Sequence, residues 1–277
     1  MKMLEKVDLT LKMGKAAYQE RMRHLYPRLN LLQRMTARAG IPVIVAYEGW
    51  EASGKGTTLN QVAEWLDPRH FRVYPIFSPN ADEKLRPFLW RFWLNIPSYG
   101  EWAFFDRSWY HRVLAERVEG QVKRPVWEGA FQEINAFERQ LADDGYSLVK
   151  FWLHISRKEQ KKRFAAMEGQ KYSSWVITDE DRREHARYEQ YLVALEEMFV
   201  QTSTYYAPWT IVEAMDHRHR QWKVTSTLLE TVEGVLKEHA PQVFSEYLET
   251  ATLIDHSLDK RGEVMEEKGK TNDPGQG

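Results

Sequence analysis

Residues 43–62 read VIVAYEGWEASGKGTTLNQV: a short apolar run, a turn holding Gly49, Ser53, Gly54, Lys55 and Gly56, then a helical pattern. The chemistry open to this stretch is phosphate binding. A glycine-rich turn lets backbone N–H groups converge on an anion with no Cβ in the way, and the following helix adds its positive N-terminal pole. Lys55 adds a point charge. The spacing from Gly49 to Gly54-Lys55 matches a nucleotide-phosphate loop, but Gly56 stands where Ser or Thr ordinarily holds Mg²⁺; Thr57 and Thr58 follow directly. The plainer alternative is a glycine-rich turn with no ligand, and the strand before and helix after weigh against it.

A second stretch, AFFDRSWYHR (103–112), ends an apolar run in Asp106 and Arg107. A carboxylate at that strand end, beside the loop, is where a phosphoryl-transfer enzyme holds its Mg²⁺. Arg107 and Arg112 supply planar donors suited to phosphate oxygens. Asp106 or Ser108 could also cap the next helix, which is compatible with metal binding. The third element is a basic run, Arg157, Lys158, Lys161, Lys162 and Arg163. Such a run is ordinarily a solvated helix face. Next to a phosphate loop it reads as a lid that excludes water and brings a cation to the moving phosphoryl group.

These residues need a scaffold. Continuous apolar runs at 43–47, 71–77, 101–106, 147–155 and 209–214 read as strands buried on both faces. Helical patterns at 57–66 and 126–142 lie between them. The alternation predicts an α/β fold: a mostly parallel five-stranded sheet in a three-layer α/β/α arrangement, with ligands beyond the carboxyl ends of the strands. Residues 11–38 form an amphipathic helix that Pro27 is expected to kink or divide. The expected organisation is an N-terminal helical extension (1–40), a core (41–255) carrying a helical-hairpin lid at 157–201 with a mobile connection at 168–178, and a disordered tail (256–277). His217 and His219 in DHRHR read as a solvated polar turn.

The chain has 277 residues, 39 basic and 40 acidic, no cysteine, and a net charge of -1. This excludes disulfides and thiolate zinc sites, suits a reducing cytoplasmic setting, and gives no whole-surface attraction for nucleic acid. No apolar run is long enough for a membrane span.

Taken together, EGWEASGKG and FDRSWYHR resemble the polyphosphate kinase 2 family, which is similar in fold to adenylate and thymidylate kinases. PFLWRFW (87–93), EINAFERQLADDG (133–145), VKFWLHIS (149–156) and APWTIVEAMD (207–216) agree, and LEKVDL (4–9) looks like the polyphosphate:AMP phosphotransferase branch. The resemblance spans roughly residues 4–235. It implies a P-loop kinase-like fold and Mg²⁺-dependent transfer, with Mn²⁺ as a substitute, between inorganic polyphosphate and adenine or guanine nucleotides, in a homo-oligomer. It also accounts for Gly56, since the family carries glycine after the loop lysine.

By the same resemblance Lys55 binds terminal phosphates, Asp106 holds the metal, and Arg107 stabilises the transferring group. Glu51, where the family usually has aspartate, orients the acceptor or shares the metal, and Arg163 clamps the transfer zone. Trp90, Arg91 and Trp93 could border a nucleotide slot, although such a cluster is more often core. The lid departs from the family: Val176 stands for an expected lysine and Asp179 for a proline, with Lys171 a candidate to compensate. Two alternatives stay open: an ATP-dependent small-metabolite kinase, and a weakened polyphosphate- or nucleotide-binding module.

Overall fold

The computed structural model describes residues 3–169 and 177–271, with side chains to residue 260. Lys171, Trp175 and Val176, and most of the connection expected to be mobile, lie outside the described residues. In chain order the elements are α1 (Lys15–Ala39), β1 (Val43–Gly49), α2 (Lys55–Ala63), β2 (Phe71–Pro75), α3 (Trp90–Trp93), β3 (Trp102–Asp106), α4 (Ala115–Val118) and α5 (Arg124–Asp143). Then follow β4 (Ser147–His154), α6 (Arg157–Glu168), α7 (Asp179–Ala186), α8 (Tyr188–Thr202), β5 (Trp209–Glu213), α9 (His217–His239) and α10 (Pro241–Thr271).

The five strands form one all-parallel sheet in the order β2-β3-β1-β4-β5. β1 is central because Val43 to Tyr47 are all apolar and buried, so neither face tolerates water. The chain leaves β1 toward β2 and β3, then crosses to β4 on the other side. The carboxyl end of β1 is therefore the switch point where a parallel sheet opens a crevice. Register aligns Tyr47 with Asp106 and Gly49 with Leu153, so the ends of β3 and β4 flank the turn that follows β1.

Pro27 neither ends nor divides α1, which stays helical through it and stops at Gly40, a left-handed cap with φ of 69°. The partners of α1 explain its persistence. Arg28 pairs with Glu233 of α9 at 3.2 Å, and His24 with Asp255 of α10 at 2.9 Å. Packing against two helices outweighs one lost backbone bond. The segment 256–271, expected to be disordered, continues α10, and Arg23 reaches Leu258 O and Asp259. Composition made it look unable to bury anything; its partner is α1, some 235 residues earlier.

Where a helical hairpin was expected, the described residues of 157–201 form three helices, α6, α7 and α8. Thr178 and Asp181 form a reciprocal capping box that starts α7, and α8 follows after Arg187. Tyr188 at the start of α8 stacks on Trp50 at 4.1 Å, tying α8 to the turn after β1.

Candidate active site

The turn between β1 and α2 is built by close approach. Gly49 has φ of 150°, and a Cβ there would fall 2.7 Å from Leu153 O. Gly54 has φ of 96°, and a Cβ would fall 2.5 Å from the Arg220 guanidinium. The N–H groups of Ala52, Gly54, Lys55, Gly56 and Thr57 have no protein acceptor among the described residues, as expected where a helix begins. The Ser53 hydroxyl is buried without a partner. These are the features of an anion cradle. Gly56 and Thr57 are exposed, and nothing lies within 4 Å of a Cβ placed on Gly56, so crowding does not exclude a hydroxyl there.

Lys55 is only 7% exposed and donates to Gly49 O at 2.9 Å, Trp50 O at 3.2 Å and Glu51 Oε1 at 2.7 Å. The ammonium has three protons and three protein acceptors, so a phosphate oxygen must replace one of them. Arg107 donates to the same Glu51 oxygen at 2.9 Å. It adopts φ of 63°, a left-handed conformation rare outside glycine and characteristic of functional sites. Burial raises the Glu51 carboxyl, but Lys55 and then Arg107 outweigh it and hold the group down to about 2. Glu51 is therefore the counter-ion of the two cations; as a metal ligand it would have to release them.

Asp106 ends β3 beside this cluster, and its carboxylate makes no hydrogen bond or ion pair among the described residues. Ser108 caps the following turn instead, accepting from Tyr110 N while donating to Glu48 Oε1 at 2.7 Å. Of the two capping candidates, Ser108 and not Asp106 caps the turn. A free carboxylate of this kind suits a hard, oxygen-seeking cation.

Two carboxylates not recognised in the sequence complete the cluster. Glu48, at the end of β1, is buried, and burial pushes its carboxyl up to about 7 against the pull of Ser108 and Lys55. Glu184 of α7 accepts from Glu51 N at 3.2 Å and Gln160 at 3.2 Å; burial and then the Glu51 charge raise it to about 7. Glu48, Glu51, Arg107, Glu180, Glu184 and His111 share a cavity of about 30 Å³. The acidic α7 therefore lies over Glu51 and Arg107.

Arg163 does not clamp the transfer zone. Its five donors go to Glu159 Oε1 and to the carbonyls of Ala52, Ser53, Ala214 and Met215, at 2.8–3.2 Å. It braces the loop from its carbonyl side, while Arg157, Lys158, Lys161 and Lys162 stay exposed. DHRHR is not a solvated turn either. Asp216 caps α9 through His219 N at 2.8 Å, His219 meets Glu213 at 3.1 Å, and Arg220 is 5% exposed.

Arg112 lies apart from Lys55. It pairs with Glu116 at 3.0 Å, covers Phe88 at 4.7 Å, and lines a cavity of about 530 Å³ with Lys84, Arg86, Arg91, Phe77 and Trp109. Arg91 is held by Glu83 at 3.2 Å and Phe77 O at 2.9 Å. Trp90 does not border this space and sits under Arg86 at 4.3 Å, while Trp93 is 44% exposed and packs edge-on against Phe137. His111 is the residue common to both cavities. Burial, then Arg107, Arg91 and Arg112, hold its imidazole down to about 4.

Comparison with known proteins bears on the family and the fold. Residues 12–240 match the family model described as Polyphosphate kinase 2. The polyphosphate:AMP phosphotransferase of Pseudomonas aeruginosa is 40% identical over 236 residues, 85% of this chain and 48% of that protein. The AMP/ADP-polyphosphate phosphotransferase of Meiothermus ruber is 34% identical over 84% of this chain and 88% of its own length. The chain thus spans about half of the Pseudomonas relative and most of the Meiothermus one. Among solved structures, a polyphosphate kinase 2 from Arthrobacter aurescens superposes with a TM-score of 0.80 at 30% identity, covering 84% of this chain and 85% of that one. On sequence and fold together, the chain belongs to the polyphosphate kinase 2 family.

Proposed function

We propose that this chain transfers a phosphoryl group between inorganic polyphosphate and a nucleoside mono- or diphosphate, with AMP as the first acceptor to test. The observation that carries this reading is the placement of Lys55, Arg107 and the unpaired Asp106 carboxylate at the end of β1 and β3, next to a cavity rimmed by basic side chains. The activities for which the relatives from Pseudomonas and Meiothermus are named support the same donor and acceptor classes.

The loop N–H groups and Lys55 bind the donor's terminal phosphates, which carry no base or sugar to be read. The acceptor occupies the larger cavity, its base against Phe77 or Phe88 and its phosphate toward Arg91 and Arg112. An oxygen of that phosphate attacks the donor's terminal phosphorus. The bridging P–O bond breaks, its electron pair stays on the shortened polyphosphate, and Arg107 stabilises the equatorial charge. No side chain becomes covalently modified; positioning and electrostatics do the work. Asp106 would hold Mg²⁺, or Mn²⁺ in its place, which neutralises phosphate charge when bound. Helices α6 to α8 form the cover that keeps water from the transferring group.

The test is transfer with purified chain, Mg²⁺ and polyphosphate, with AMP and ADP offered separately and no ATP present. ADP or ATP formation is expected. In a parallel assay with ATP in place of polyphosphate, transfer from ATP alone would instead identify a small-metabolite kinase on this core, and tight polyphosphate binding without product would identify a binding module.

A further inference from the structure

The carbonyl side of the phosphate loop rests on a second arginine, from α9, that the proposed chemistry does not use. Arg220 donates through Nε to Thr58 Oγ1 at 2.8 Å and through NH1 to Ser53 O at 3.0 Å. Thr58 in turn donates to Gly54 O at 2.8 Å. The guanidinium lies so close under Gly54 that a Cβ would meet it at 2.5 Å, so the loop's glycine and the arginine require each other. Ser53 O is shared with Arg163, which puts two guanidiniums against one turn.

A cation in that position is costly. Arg220 is 5% exposed and, among the described residues, makes no ion pair; Asp216 at the start of α9 attracts it only from beyond that distance. Burial and then the neighbouring Arg163 pull it down to about 10, which still leaves it charged at neutral pH. A buried charge with only neutral acceptors is ordinarily replaced or paired. Bracing a turn could be done by a neutral donor, so the charge calls for an anion elsewhere, and the polar groups left unpaired in the loop lie on the other side of the same peptides.

We infer that Arg220 is a positioning residue for the donor: it locks the loop carbonyls and sets a positive charge behind the peptides whose N–H groups receive the polyphosphate. The inference rests on the proposed donor reading. It explains why a residue 165 positions beyond Lys55, on the helix after the last strand, is directed at the loop (220 minus 55). Its effect falls on the polyanion and not on the acceptor, whose cavity Arg220 does not line.

Inorganic tripolyphosphate and AMP are the probes, each titrated calorimetrically into wild type, Arg220→Gln and Arg220→Lys, with melting temperatures taken alongside. Arg220→Gln is expected to weaken tripolyphosphate about tenfold, the size of one charge-assisted interaction. Arg220→Lys keeps the charge without the fork and is expected within about threefold of wild type. AMP binding is expected to be unchanged in both. Equal losses in the two variants, or parallel losses of AMP binding, would reduce Arg220 to a structural prop and overturn the inference. Wild-type tripolyphosphate affinity in Arg220→Gln would overturn it outright. A wild-type chain that binds no tripolyphosphate would sink the donor reading, and this inference with it.

Discussion

Replacing Glu51 by Gln removes the one carboxylate that holds both Lys55 and Arg107, at 2.7 Å and 2.9 Å. Its carboxyl stands at about 2 against an ordinary 4.5, and that gap converts to about 3 kcal/mol of attraction. The side chain is 24% exposed, so little of this is lost to solvent screening. Two clustered cations without their counter-ion should therefore lower unfolding stability by about 3 kcal/mol at pH 7. Polyphosphate should reverse the loss. With Glu51 gone a phosphate oxygen no longer competes with a carboxylate for Lys55, so the variant should bind tripolyphosphate more tightly than wild type. Saturation at 100 times Kd returns about 2.7 kcal/mol. The assay is urea unfolding of both proteins with and without tripolyphosphate, together with turnover, which should fall at least about 100-fold because the cations lose their geometry. Unchanged stability in the absence of anion would refute the counter-ion argument. Weaker tripolyphosphate binding in the variant would refute the competition argument.

Other outcomes follow from the same geometry. Asp106→Asn removes a carboxylate that bonds to nothing, so stability should stay within about 1 kcal/mol while Mg²⁺-dependent turnover falls at least about 100-fold; equal loss of both would mark it as structural. Arg112→Gln should raise the acceptor KM about tenfold and leave tripolyphosphate affinity unchanged, since Arg112 lines the larger cavity; the reverse pattern would move it to the donor site. His154 supplies a pH test. Burial holds its imidazole at about 4, and its Nδ1 accepts from Trp50 and Trp152, both at 3.2 Å. The unfolded chain takes up this proton near pH 6.5 and the folded chain only near 4, so the contribution is present above 6.5 and lost as pH falls toward 4. It amounts to about 3 kcal/mol. Urea midpoints of wild type against His154→Gln, at pH 7 and pH 4, should show that difference; parallel curves would remove His154 as the cause.

The strands and the loop were legible in the sequence because their determinants are local. Apolar runs such as VIVAY and SLVKFWL have no polar face to offer water, which leaves only the interior of a parallel sheet. Glycines at 49 and 54 were needed wherever the chain turned that tightly, and Lys55 followed from its place at the helix start. Asp106 and Arg107 were placed at a strand end for the same reason: the apolar run before them stops there.

Side-chain direction is decided by partners far along the chain, and there sequence reasoning failed. Arg163 belongs to a run of basic residues that looks uniformly solvated, yet four of its five donors face carbonyls more than 50 residues away while its neighbours stay in water. Arg112 reads as a companion of Arg107 five residues on, but a turn of 3-10 helix sends it to a different cavity. DHRHR has the composition of an exposed turn, and only the seating of α9 against the loop buries Arg220. Residues 256–271 have little apolar content, yet they continue α10, and Leu258 O and Asp259 meet Arg23 of α1. Sequence by itself determined which segments must be interior and where a phosphate could be met. The tertiary structure decided which charges face that phosphate, because a charge's surroundings are set by whatever the fold brings beside it.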